Sequence, residues 1–286
     1  MAIRIMTSGG LGNQLFHLAV AHTYLEKFPE EKIYLCWNGF KEDGAANFKL
    51  FEIINDCKHA IYFRPSNTSY LFFLLVDLLR KYGISVEHIL KRLRIVDHSN
   101  PCASVVNEEI PPRIARGYFQ NADNLGDIRK SVFVKELFMY LSKKTSNNQT
   151  KKLQYDFGVH LRRGDYLENK ELLGVLSIDY YEFNKLLSGS VVVASDSIEL
   201  LEEIQSDCPH AEVLMPNIFN EWETLSSLCL AKTLIMANST FSWWAGILCC
   251  HQGNKAIMPN PWFKSGNEVG SHLFVKEFQS RRSIFQ

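Results

Sequence analysis

The sequence predicts an α/β protein of two halves, each a parallel sheet covered by helices, with the two sheets facing a central cleft. Three observations carry this. Short apolar strands alternate with helices throughout the second half, the pattern of a parallel sheet covered on both faces. A strand, a glycine turn and a helix open the first half. A polar, charged stretch without apolar period, Lys143 to Lys152 (KKTSNNQTKK), separates the two and reads as a linker. The expected domains are therefore 1–145 and 153–286.

The chain opens with a strand, Ile3 to Thr7, turns at Ser8-Gly9-Gly10-Leu11-Gly12, and enters a helix from about Asn13 to Lys27. Leu15, Leu18, Ala19, His22 and Leu25 recur there at helical spacing. Ile33 to Trp37 is a second strand. Leu71 to Ile95 reads as helical with Gly83 as an interruption, Gly117 to Asn121 as a strand end and loop, and Ile128 to Leu141 as helix. In the second half, strand Phe157–Leu161 precedes helix Tyr180–Leu187, and strand Val191–Ala194 precedes helix Ile198–Gln205. Strand Val213–Met215 leads to helix Trp222–Leu230, strand Leu234–Ala237 to helix Phe241–Cys250, and Ala256–Met258 closes the series.

A chain of 286 residues that is 46% hydrophobic and 22% charged can bury a core without disulfides. The formal net charge is zero, and Lys91-Arg92-Leu93-Arg94 is too short a cluster to imply nucleic acid. Seven cysteines, none spaced as C-x-x-C, suit a reducing compartment, where they pack as small hydrophobes. Neither a metal-ligand spacing nor an Asp-x-Asp pair is visible. Met1 to Met6 runs straight into the glycine turn, so a cytoplasmic protein is expected. Tyr70 to Leu79 is broken by Asp77 and falls well short of the roughly 20 apolar residues of a membrane span. It reads as an amphipathic helix packed on the protein, with weak contact to a bilayer surface as the alternative. The basic, aromatic tail Phe278 to Phe285 reads as fraying into solvent, with contact to anionic lipid as its alternative.

Four segments could carry chemistry. Val159-His160-Leu161-Arg162-Arg163-Gly164-Asp165-Tyr166 puts two arginines just beyond a buried strand, where parallel sheets bind ligands. A guanidinium fork matches two phosphate oxygens at once. The reading is a phosphate or carboxylate clamp, against a surface pair bonded to local carboxylates. Gly10 and Gly12 fit the start of a dinucleotide fingerprint, but Leu15 replaces the third glycine and strand Ile33–Trp37 ends without an acid for the ribose. A nicotinamide cofactor is thereby disfavoured. Asn13 either projects from the helix start toward a ligand or caps the helix. Asp196, in Ser195-Asp196-Ser197, could accept from a base or sugar hydroxyl, while Ser197 suits a helix cap. Ser239, Thr240 and Phe241 open a helix whose amides and dipole favour an anion. Trp243 and Trp244 read as core or cleft wall. Asn238-Ser239-Thr240 fits the glycosylation pattern, which a cytoplasmic protein would not use. Together these segments suggest a nucleotide-diphosphate site in which protein groups neutralise pyrophosphate, each charge-assisted contact contributing roughly 1.5–3 kcal/mol.

Gly-Gly-Leu-Gly-Asn-Gln-Leu-Phe at 9–16, Gly-Tyr-Phe-Gln at 117–120, His-Leu-Arg-Arg-Gly-Asp-Tyr at 160–166, Ser-Asp-Ser at 195–197 and Ala-Asn-Ser-Thr-Phe-Ser-Trp-Trp-Ala at 237–245 resemble, in order, the bacterial α-1,2-fucosyltransferases of glycosyltransferase family 11. Residues 62–108 carry no motif of the family. The resemblance implies a GT-B-like fold of two Rossmann-like halves, with GDP-fucose in the C-terminal half and the acceptor facing the N-terminal half. It implies metal-independent, inverting transfer of L-fucose from GDP-β-L-fucose to the 2-hydroxyl of a galactose, terminal in its glycan, free or carried on a lipid. No cofactor is implied beyond that donor, and membrane contact is at most peripheral, at the inner face of the cell membrane. Arg162 would take the β-phosphate, supported by Arg163 and His160. Asp196, with Ser197, would face the nucleoside, and Ser239, Thr240 and Phe241 the diphosphate. Asn13 would sit close to the reacting sugar. Asp165 and Asp123 are the candidates for a general base, and Asp165 equally suits holding an arginine in place. Competing readings are a fucosyltransferase of another linkage or acceptor, a nucleotide-linked oxidoreductase, and a non-catalytic glycan- or nucleotide-binding protein.

Overall fold

The computed structural model describes residues 2–38, 49–50, 53, 61–98, 102–147, 154–186, 188–216, 218–266 and 269–286. Contacts divide the chain into two units, Met1–Leu125 and Gly126–Gln286.

In the first unit β1 (Ala2–Met6) alternates buried and half-buried residues before the chain turns through Gly9, whose φ of +75° lies in the left-handed region. Helix α1 (Leu11–Lys27) begins earlier than expected, because extended Gly10 is its N-cap; Asn13 lies inside the first turn and is not the cap. Leu15, Phe16, Leu18, Ala19 and Val20 of α1 are buried. Strands β2 (Lys32–Trp37) and β3 (Ile61–Pro65) follow, then α2 (Asn67–Lys81), α3 (Glu87–Arg92), β4 (Ile95–Asp97) and β5 (Ile114–Arg116). The sheet order is β3-β2-β1-β5-β4 and every pairing is parallel.

The single interrupted helix expected over Leu71–Ile95 is thus two helices and a strand. Gly83, at φ +75°, ends the first helix. Hydrogen bonding to β5 makes a strand of Ile95–Asp97, where Asp97 receives the guanidinium groups of Arg116 (2.7 Å) and Arg80 (2.6 Å).

In the second unit come α4 (Val132–Asn147), β6 (Phe157–Leu161), α5 (Gly164–Glu168), α6 (Ile178–Tyr181), α7 (Phe183–Leu186), β7 (Val191–Ser195), α8 (Ile198–Asp207), β8 (Glu212–Leu214), α9 (Glu221–Leu228), β9 (Thr233–Ile235), α10 (Thr240–His251), β10 (Lys255–Asn260), α11 (Val269–Leu273) and β11 (Phe278–Arg282). The sheet runs β11-β10-β9-β6-β7-β8, all parallel. Counted within this unit, that is the doubly wound order whose chain direction reverses between its first and fourth strands, here β6 and β9. β7 is buried along its whole length, as a strand covered on both faces must be.

Two expectations are corrected here. The boundary falls at Leu125/Gly126, because α4 packs on the second unit: Phe133 meets Trp244 edge-on (ring centroids 5.6 Å) and Tyr140 meets Trp222 (5.2 Å). Residues 148–153, which hold much of the expected linker, lie outside the described residues. The tail does not fray: Phe278–Arg282 adds an edge strand to β10, with Phe278 buried. Trp243 and Trp244 are fully buried core. The six described cysteines are free and buried. Among the described residues no helix is long and apolar enough to cross a membrane.

Candidate active site

Strand order decides where the motif residues meet. The reversal between β6 and β9 opens a crevice at their carboxyl ends. β6 ends in Leu161 and hands over to Arg162, β7 ends in Ser195 and hands over to Asp196, and β9 leads through Asn238 to α10. Segments far apart in sequence converge there.

Arg162 is held from two sides. Its Nη2 donates to Asp165 Oδ1 (2.6 Å), its Nη1 pairs with Asp196 Oδ2 (2.8 Å), and the guanidinium lies over the Tyr166 ring at 5.5 Å. The side chain stays 32% exposed. Those two bonds use two of a guanidinium's five N–H donors; the others remain for an anion. Asp196 is itself fixed, since Oδ1 accepts from the backbone N–H of Arg163 at 2.7 Å. Both of its oxygens are therefore engaged within the arginine motif.

Arg163 faces inward. It is buried, its Nη1 donates to the Leu176 carbonyl at 2.7 Å, and burial lowers its pKa from the ordinary arginine value. Its guanidinium anchors the segment before α6. His160 is also buried, and its ring leans on Phe241 with centroids 5.2 Å apart. Burial first, and the Arg162 charge second, push its pKa down to about 3, so the ring is neutral at physiological pH.

Ser239 caps α10, its Oγ accepting from the Ser242 N–H at 3.2 Å. Thr240 and Phe241 stand half-buried in the first turn. The Tyr166 hydroxyl donates to the Asn238 carbonyl (2.7 Å), which ties the arginine motif to the start of α10. Ser197 caps α8, accepting from the Leu200 N–H at 3.3 Å. Asn13 stands in the first unit, where Gln120 Nε2 donates to its Oδ1 at 3.1 Å. Asp123 is exposed in a short 3-10 helix of that unit.

Sequence reasoning missed three contributors. Tyr166 bridges Arg162 and Asn238. Asn238 Nδ2 gathers the carbonyls of Leu173 and Gly174, both at 3.0 Å. Gly164 is the third: a Cβ there would lie 2.4 Å from Asp196 Oδ2. A glycine directly after the arginine pair was the readable signal. Gly164→Ala is expected to push the carboxylate off Arg162 and lower kcat/KM by about 10- to 100-fold, since displacements near 1 Å carry such costs. Steady-state kinetics beside a thermal melt would check this; unchanged kcat/KM would show that the Asp196 contact is dispensable.

A family model for glycosyl transferase family 11 matches residues 112–274, more than half of the chain, spanning both the arginine motif and the α10 motif. The chain belongs to glycosyltransferase family 11. The family 11 relatives include the O-antigen biosynthesis glycosyltransferase WbnK of Escherichia coli, 25% identical over 91% of this chain and 95% of that one. An α-1,2-colitosyltransferase of E. coli is 32% identical over a shorter stretch, 37% of this chain and 40% of its own. Among solved structures, the ADP-heptose LPS heptosyltransferase II of E. coli superposes with a TM-score of 0.55 at 10% identity, over 98% of this chain and 90% of that one. That likeness is of fold: the two parallel α/β units are those of a GT-B glycosyltransferase.

Proposed function

We propose that this family 11 glycosyltransferase moves L-fucose from GDP-β-L-fucose, with inversion and without a metal ion, to the 2-hydroxyl of a galactose in a glycan. One observation carries the reading: a half-exposed guanidinium at the sheet's switch point, aligned by two carboxylates yet keeping unused donors. As the glycosidic bond breaks, negative charge gathers on the departing β-phosphate, and a donor fixed beforehand stabilises it without reorganisation. The N-terminus of α10, beside His160 through Phe241, adds amide donors for the diphosphate. His160 contributes a neutral ring, which does not compete with Arg162 for the anion. Asp165 positions Arg162 and is not the base; the acceptor proton then leaves late, to water, once the bond between fucose and the β-phosphate has largely broken and the new bond to the acceptor oxygen is forming. Asn13, its amide oriented by Gln120, serves the sugar. Asp196 accepts one bond at each oxygen from the arginine motif and keeps lone pairs with which to accept from the nucleoside.

The relative named as an α-1,2-colitosyltransferase supports the 1,2 linkage and favours a second reading of the donor. Colitose is fucose without its 3-hydroxyl, so the same phosphate clamp would serve either sugar. The test is to incubate the enzyme with GDP-fucose or GDP-colitose and a panel of galactosides, with EDTA present. GDP release is followed and the product linkage read by NMR. An α-1,2-fucoside formed in EDTA is the expected product. Preference for GDP-colitose would select the second reading, and no GDP release from either donor would refute both.

A further inference from the structure

We propose that the outer face of α2 and α3 docks this enzyme on an anionic bilayer surface. Helix α2 is apolar on both sides. Ser69, Phe73 and Val76 are buried and turn toward the sheet, with Phe73 packed among Met6 and Cys36. Leu71, Leu74, Leu75 and Leu78 follow i, i+3, i+4, i+7 spacing on the opposite face, and all are exposed, Leu74 at 67%. A helix apolar all round is ordinarily covered on all sides. Tyr82 and Ile84 continue the exposed apolar surface past the helix end, Tyr82 at 74%. Helix α3 packs beside α2 through Val86 and Leu90, and leaves Ile89 and Leu93 outward. Exposed leucines gathered on one face of a helix mark an interaction site.

Charge identifies the occupant. The acids on this surface are occupied internally: Asp77 by Arg116 at 2.7 Å and Glu87 by Arg80 at 2.5 Å. Lys81, Lys91 and Arg92 are exposed and make no ion pair among the described residues, and His88 is exposed beside them. The face therefore presents leucines rimmed by cations, the composition of a helix lying in the plane of a membrane interface. Leucines enter the acyl boundary while lysine and arginine reach anionic headgroups. A two-fold dimer through this face would set two basic rims against each other. At fifteen residues α2 lies along a bilayer and does not span it. The inference is independent of the donor reading, because no residue of this face belongs to the arginine site.

The test is flotation with vesicles of phosphatidylcholine, alone or with about a third phosphatidylglycerol. The full chain is compared with Leu74→Gln/Leu75→Gln/Leu78→Gln and with Lys81→Glu/Lys91→Glu/Arg92→Glu. Wild type should partition at least about tenfold better onto the anionic vesicles, and each triple variant should lose at least about tenfold. Far-UV circular dichroism and turnover on a soluble galactoside should not change in either variant, which separates loss of docking from misfolding. Equal partition onto both vesicle types, or variants that float like wild type, would overturn the proposal. So would a concentration-dependent dimer abolished by the leucine variant without any vesicle binding, which would assign the face to a second copy.

Discussion

Arg162→Ala is expected to lower kcat/KM for sugar transfer by about 10³-fold or more, while the thermal midpoint moves little. The activity loss follows from what the guanidinium does. Removing one preorganised donor from a developing anion costs about 10²–10³ in rate, and arginines that neutralise a transferred phosphate carry about 10³–10⁵. Arg162 combines both roles in one planar group. The small stability cost has a separate reason. The side chain is 32% exposed, as is much of Asp165, and pairs this open to solvent contribute ~0–1 kcal/mol. Asp196 keeps its bond from the Arg163 N–H after the substitution. Arg162→Lys should recover little activity, since one ammonium cannot hold two carboxylates and a phosphate in a plane. Kinetics, GDP titration calorimetry and a melt, run on the same preparations, separate the outcomes. A folded Arg162→Ala enzyme with wild-type turnover would remove Arg162 from the mechanism.

The members of the candidate site were legible in the sequence one by one, as polar groups at strand ends. The arginine motif, Asp196 and Ser239 each follow a strongly apolar strand, and strand ends in parallel sheets are where ligands bind, so local pattern placed them. How they combine was not legible. The contact from the Arg163 N–H to Asp196 spans 33 residues, and no local period reports it. Only the β6–β7 pairing, with Leu161 opposite Ser195, brings the two ends together. The same limit explains the missed strands. β3, β4 and β11 lie in sheet edge positions and show partly exposed burial patterns, so they lack the continuous apolar run of β7. Phe278-Gln279-Ser280-Arg281-Arg282 looks like a tail until β10 offers it a ladder. The misplaced boundary is of this kind too. A polar run marked the end of α4, but α4's allegiance is set by Phe133 and Tyr140 meeting tryptophans more than 80 residues away, 111 and 82 positions along respectively.

Acid should destabilise both units through buried histidines well before the carboxylates titrate. His17 lies buried in α1, its Nε2–H donating to the Gly117 carbonyl at 2.9 Å, and burial lowers its pKa from 6.5 to about 4. His160 in the other unit is lowered to about 3. Both folded values lie below the unfolded one, so the unfolded chain takes up protons first as pH falls. The stabilisation is complete above pH 6.5 and is lost progressively on descent toward the folded values. At pH 5 the unfolded histidine is 1.5 units below its own pKa, which amounts to about 2 kcal/mol for each unit's transition. Asp77, whose pKa the Arg116 bond holds below the usual 3.8, weakens the fold in the same direction but only below about pH 4. The windows are thereby distinct. Urea unfolding at pH 7.5 and 5.0 measures the difference, and His17→Gln or His160→Asn should each flatten the slope for its own unit. Stability that does not change between these two pH values would mean that these rings are charged or solvated in the native protein. Catalysis should not share this dependence. The Arg162 guanidinium beside His160 is one of the two reasons that ring stays neutral across this range. The turnover of the folded fraction is accordingly expected to stay level from pH 7.5 to 5.5 while its stability declines.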